Sequence, residues 1–257
     1  MAEGEPKIEG NNIEDGIKGN MEILKEQGII ALDVGLTEEE RKSMQEVKIE
    51  KEIPDFDYYG PVSDELIKKL STHLGGIAEN SEGIKDTIAR FVAKVAESTI
   101  KGFNQESAWI AVRFSLPNNE YEVPRWHRDG AYFKPFDGET YKLVMTLKGA
   151  QTRFAGTINE ERFNQLDLET AKNNSLVREN EEKFKKEDIR LRKELDLVVK
   201  EIEPCKEGQA AVFLGQRNHG KIHSEPHILE PRIFMSVIPA SREQIDELRK
   251  RWEDKET

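Results

Sequence analysis

The chain has 257 residues, 36% of them apolar and 35% charged, with a formal net charge of −11. That length can bury a core without metal or disulfide staples, and the single cysteine, Cys205, excludes a disulfide framework and suits a reducing compartment. No run approaches the roughly 20 apolar residues of a membrane-spanning helix, and the acidic balance argues against nucleic acid as the main partner.

Met1 to Lys7 carry neither a basic nor an apolar signal-peptide region, so a cytoplasmic location is expected, with residues 1–257 as one domain. Residues 1–11, rich in Gly, Glu and Asn, read as a flexible tail. Ile13, Ile17, Met21 and Leu24 recur at helical spacing and stop at Gly28. Residues 28–34 read as a buried strand, and Thr37 to Glu40 as a capping box that opens a further helix. The stretch 50–62 holds Pro54, Gly60 and Pro61 and reads as irregular. Ile84, Ile88, Phe91, Val95 and Ile100 then mark an amphipathic helix over about 82–101, completing an N-terminal helix-and-strand region over 12–107.

From residue 108 the period becomes strand-like. Runs at 108–116, 141–147, 197–202, 210–214, from 221 and at 232–238 are short and punctuated by Gly and Pro, a pattern that predicts a jelly-roll or barrel core over 108–240. The class is α+β with a mainly β core. Ser241 to Gln244 form a second capping box, opening a terminal helix within 241–257. Residues 159–195 break the β pattern: about half are charged, with only Val177, Phe184 and Leu191 in a narrow stripe. They read as a charged helical insertion, either a solvated decoration or a lid over a site.

The chemistry concentrates in two places. In Trp126-His127-Arg128-Asp129-Gly130, an extended backbone points residues 127 and 129 to one side, bringing an imidazole and a carboxylate to one point. His219, His223 and His227 then share one parity, although Gly220 and Pro226 interrupt any strand there. Arg232 heads an apolar strand nine residues after His223. A buried guanidinium is costly without an anion, which is either a protein carboxylate or a carboxylate ligand.

Two histidines and one carboxylate on one face of a metal form the facial triad of non-haem Fe(II) oxygenases. The His127-x-Asp129 pair, the long gap, a distal histidine and Arg232 together resemble the Fe(II)/2-oxoglutarate-dependent dioxygenases. His223-Ser224-Glu225-Pro226 through Val237 is similar to the distal strand pair of the prolyl-hydroxylase-like branch. Leu24 to Leu32, with Leu36 to Glu40, is similar to the opening of phytanoyl-CoA-hydroxylase-like members. The resemblance implies a double-stranded β-helix (cupin-like) with flanking helices. It also implies Fe(II) on His127, Asp129 and His223, 2-oxoglutarate held by Arg232, and O2 as oxidant. The implied reaction hydroxylates a small molecule or a protein side chain, with release of succinate and CO2. Phe234 departs from branches that carry Ser two residues after the arginine, and His219 is a rival distal ligand. Tyr132 and Arg125 flank the motif as candidate cosubstrate or substrate contacts, Arg153 as a candidate for an anionic substrate, and Trp126 as a core residue. No catalytic residue beyond the metal centre is indicated. The rival classes are a metal cupin that does not use 2-oxoglutarate, with His219 as a further ligand, and a non-catalytic jelly-roll binding module.

Overall fold

The computed structural model describes residues 12–75, 82–130, 132–133, 138–175, 181–202, 205–215 and 219–253. The tail at 1–11 and Val177 lie outside them. The first predicted helix is two: α1 (Ile13–Gly19), capped by Asn12, and α2 (Met21–Gln27). They break at Asn20, whose side-chain amide donates to the Gly16 carbonyl at 2.8 Å and so competes with the backbone. Gly28, at φ 73°, ends α2 in the left-handed conformation that favours glycine. Then come β1 (Ile29–Asp33) and α3 (Glu38–Glu46), the latter opened by the expected Thr37/Glu40 capping box.

The stretch 50–62 differs from its reading as irregular. It contains β2 (Phe56–Gly60), and Pro54 and Pro61 delimit the strand instead of disrupting it. Phe56 and Tyr58 are buried while Asp57 is exposed, the alternation of a half-buried strand. Helix α4 (Asp64–Leu74) follows, burying Leu66, Leu70 and Leu74 at helical spacing, and then α5 (Glu82–Gly102).

The remaining elements are β3 (Ser107–Ser115), β4 (Tyr141–Lys148), β5 (Arg153–Ile158), α6 (Glu160–Ser175), α7 (Glu181–Val198), β6 (Val199–Ile202), β7 (Gln209–Leu214), β8 (His223–Ser224), β9 (Arg232–Ala240) and α8 (Arg242–Glu253). They build two antiparallel sheets, one ordered β1-β7-β4-β9-β3-β2 and one ordered β6-β5-β8. One face of the larger sheet presents Ile110, Val112, Leu143, Met145, Val212, Met235 and Val237 to Phe91, Val92 and Val95 of α5 in the main core. Each such side chain contributes about 1.5–3 kcal/mol by its burial.

The period of two sends the intervening residues to the other face: Lys142, Val144 and Thr146 on β4, Ala211 and Phe213 on β7, Arg232 and Phe234 on β9. Val144, Ala211 and Phe213 cluster there with Phe154 of the smaller sheet, and Phe234 packs against them. The two sheets therefore face each other across an apolar interior with charged residues at its margins.

Candidate metal centre

The segment carrying His127 is extended but belongs to neither sheet. It is joined to β8 by one bridge, in which the His127 amide donates to the His223 carbonyl and the His223 amide to the His127 carbonyl, each at 3.0 Å. This pairing places the two imidazoles side by side, with ring centroids 4.5 Å apart. Asp129, two residues on and on the same side, brings a carboxylate oxygen to 3.6 Å from His223 Nε2. One ligand atom from each of His127, Asp129 and His223 lies within 4.8 Å of the others, the single such constellation among the described residues.

The hydrogen bonds fix which atoms are available. His127 Nδ1 lies 2.8 Å from the Arg125 carbonyl and His223 Nδ1 lies 3.0 Å from the Lys221 carbonyl. A carbonyl only accepts, so each Nδ1 carries the proton and each Nε2 keeps a free lone pair. Burial favours the neutral ring, pushing His127 below the ordinary histidine value; burial and then the neighbouring His127 take His223 to about 4. Burial alone would raise the Asp129 carboxyl, but Lys142, then His223 and His127, and the Tyr132 hydroxyl hold it well below the usual carboxylate range. Two neutral imidazoles and an ionised carboxylate are the states that a divalent transition metal requires of such ligands.

The other histidines stand apart. His219 is exposed in a turn, and His227 faces Asn119 at 3.3 Å. Strand β8 is only two residues long, so common parity does not carry these side chains to one face.

Arg232 is 5% exposed. Its Nε donates to the Ala150 carbonyl at 2.8 Å, one terminal nitrogen donates to Thr152 Oγ1 at 3.1 Å, and its guanidinium carbon lies 4.6 Å from the centre of the Phe234 ring. Gly149 makes this approach possible. It sits at φ 87°, and a Cβ there would fall 3.0 Å from the Pro231 carbonyl oxygen. Among the described residues, no carboxylate lies within ion-pair distance of Arg232, and burial pulls its pKa down to about 10. Glu225 acts on it only at longer range, without a direct ion pair.

Other candidates resolve into local pairs. Arg125 bonds Glu225, and Arg153 bonds Glu201 at 2.9 Å while covering the buried Trp126 ring. Burial pushes the Cys205 thiol up to about 12, which disfavours the nucleophilic thiolate. Tyr132 places its hydroxyl on Asp129, and Lys142, which sequence reasoning missed, donates to both, at 3.2 Å to Asp129 Oδ2 and 3.2 Å to Tyr132. Its signal was a lysine one residue before the apolar run Leu143-Val144-Met145, in the interior of a strand.

No family model and no curated protein matches this chain. Among solved structures it is similar to a Pseudomonas putida prolyl-4-hydroxylase, at 12% identity over 88% of this chain and 93% of that one, with a TM-score of 0.40. It is similar to the Arabidopsis thaliana dioxygenase for auxin oxidation in its 2-oxoglutarate complex, at 9% identity over 90% of each chain and a TM-score of 0.45. A third is the non-heme alpha-ketoglutarate-dependent carbocyclase SnoK of nogalamycin biosynthesis, at 12% identity over 90% of this chain and 86% of that one, with a TM-score of 0.42.

Proposed function

We propose that this protein is an Fe(II)- and 2-oxoglutarate-dependent dioxygenase that hydroxylates a small molecule or a protein side chain. In this reading, the two sheets form a double-stranded β-helix within one cytoplasmic domain. Among the described residues, no helix is long and apolar enough to cross a membrane. The observation that carries the reading is a buried guanidinium with no carboxylate in ion-pair contact among the described residues, on the same interior as a His/Asp/His cluster. A cation so placed needs an anion from outside the chain.

Strand β4 sets the spacing between the two ends. Lys142 touches Asp129, and Thr146, on the same face, lies 3.5 Å from the Arg232 guanidinium. Four residues of strand span about 13 Å, and side chains reach inward from both ends. A short diacid fits that interval, one carboxylate toward the cluster and the other paired with Arg232. Val144, Ala211, Phe154 and Phe213 make the intervening wall apolar, excluding water and strengthening the ion pair.

Within this scheme His127, Asp129 and His223 would hold the iron, through the two Nε2 atoms left free by the hydrogen bonds above and the ionised carboxylate. Iron held there would supply the redox chemistry by which O2, the oxidant, converts 2-oxoglutarate to succinate and CO2 and hydroxylates the substrate. The chain's own residues orient and neutralise. Lys142 and Tyr132 keep Asp129 ionised and aimed, and Arg232 with Thr152 grips the distal carboxylate.

The exposed position of His219 gives the three-histidine cupin no support. The test is thermal unfolding with a redox-inert divalent ion, alone and with 2-oxoglutarate. The expected result is a melting temperature raised by the metal and raised further by 2-oxoglutarate, with His223→Ala abolishing both shifts. A metal shift without any 2-oxoglutarate shift would overturn the dioxygenase reading in favour of a metal cupin.

A further inference from the structure

The segment 126–129 alternates between two environments. His127 and Asp129 point to the metal cluster, while Trp126 and Arg128 point the other way, toward α6 and α7. The Trp126 indole nitrogen donates to Asp196 Oδ1 on α7 at 2.8 Å. Arg128 donates to Asn164 Oδ1 and Glu160 Oε2 on α6, each at 3.0 Å, and its guanidinium carbon lies 4.8 Å from the centre of the Phe163 ring. The Arg128 side chain is only 7% exposed, and its Nε is buried without a hydrogen-bond partner.

These helices are not a solvated decoration. Phe163 and Leu166 of α6 and Leu191 and Leu195 of α7 are buried against Trp126, Ala155 and Ile222, forming a core of their own beside the smaller sheet. Arg192 of α7 also donates to the Glu120 carbonyl, in the loop that leads to the metal segment, at 2.8 Å.

The metal segment needs such support. Arg125, just before it, donates its amide to Ser224 Oγ at 2.9 Å and His127 pairs reciprocally with His223, but among the described residues no backbone bond to the sheet follows residue 127, which leaves the Asp129 end free to tilt. If Arg128 only filled space, an apolar side chain would do so without burying an unpartnered Nε–H. We propose that Arg128 is a positioning residue for the metal ligands, and that α6 and α7 clamp the segment 126–129 so that His127 and Asp129 reach the metal preorganised. The inference rests on the metal-binding reading above.

The test is Co(II) binding to the full chain, by visible absorption and calorimetry, well below the melting temperature. Wild-type protein and His223→Ala establish the site. Arg128→Gln is expected to weaken Co(II) binding 10- to 100-fold, as loss of a group that supports metal ligands does. Asn164→Ala should weaken it several-fold, and the double variant should bind little worse than Arg128→Gln, because both changes cut one link. Leu70→Ala, in the remote main core, should lower the melting temperature and leave Co(II) affinity unchanged, which separates positioning from general stability. Arg128→Gln binding Co(II) within threefold of wild type would overturn the clamp while leaving the metal reading intact. Wild type failing to bind would overturn both. Should Arg128→Gln not fold, normal Co(II) affinity in Asn164→Ala and Glu160→Gln would overturn the clamp equally.

Discussion

Lys142 extends its ammonium from the centre of the larger sheet to 3.2 Å from Asp129 Oδ2, a contact in which both side chains are nearly buried. The lysine thereby fixes the charge and the direction of the one carboxylate in the cluster. It acts on His223 as well, since a positive charge nearby disfavours the imidazolium.

Removing that ammonium has a definite sign. In Lys142→Met, both Asp129 and His223 lose a cation that favours their deprotonated forms, so both protonate at higher pH. Protonated ligands do not bind metal. The acid limb of Co(II) binding should therefore move to higher pH in Lys142→Met, as titration from pH 7 to 4 would read. An unmoved limb would show that Lys142 does not set the charge state of the cluster.

Stability of the metal-free protein should follow the histidine. His223 is held at about 4 in the fold against an ordinary 6.5. Between those values the unfolded chain binds the extra proton, so stability falls as pH drops from 6.5 toward 4. The loss is about 3 kcal/mol if His223 titrates alone. Denaturant midpoints at pH 7 and 4.5 should converge in His223→Asn relative to wild type; an equal spread in both would assign the pH dependence elsewhere.

The distal ligand makes the sharpest contrast among the three clustered histidines. Ala at position 223 should abolish Co(II) binding, because it removes an Nε2 inside the cluster. Ala at 219 or 227 should leave affinity unchanged, His219 being exposed and His227 bonded to Asn119. Loss of binding in His219→Ala would reassign the ligand.

Much of this site was legible because it depends on local rules. The two-residue spacing of His127 and Asp129 needs only an extended backbone, and the structure brings both to the cluster with His223. Capping at Thr37 likewise depends on four consecutive residues. What the sequence hid lies in long-range contacts. Common parity of His219, His223 and His227 says nothing once the strand is two residues long. Strand β2 was masked by its bordering prolines, and its place at the sheet edge comes from pairing with β3, some fifty residues on. The partners of Arg128 lie 32 and 36 residues away on a helix whose charged composition suggested solvent, although Phe163 and Leu166 on that helix are fully buried. Which face of a mixed-charge helix is apolar shows only when the neighbouring surface is known.

Arg232 separates an enzyme using 2-oxoglutarate from any other reading of this fold. Among the described residues its guanidinium is bonded to a carbonyl and hydroxyls, with Glu225 acting on it only at longer range, and burial has drawn its pKa to about 10. At neutral pH the buried charged arginine, without a direct carboxylate partner, costs the ligand-free protein stability. Replacing it with Met should therefore leave the melting temperature of the ligand-free protein near or above wild type, despite the lost bonds to Ala150 and Thr152. A salt-bridged arginine would behave oppositely, its loss leaving a buried carboxylate unpaired and lowering stability. The same variant should raise the apparent KM for 2-oxoglutarate, or the Kd in the Co(II) complex, by roughly 30- to 1,000-fold, the equivalent of about 2–4 kcal/mol of charge-assisted bonding. Arg232→Lys should fall between, since an ammonium supplies the charge without the two parallel donors. Co(II) affinity should stay near wild type in both variants, because Arg232 sits at the far end of β4 from the cluster. A Met variant that melts several degrees lower and binds 2-oxoglutarate normally would show that the guanidinium serves the fold, and the dioxygenase assignment would fall with it.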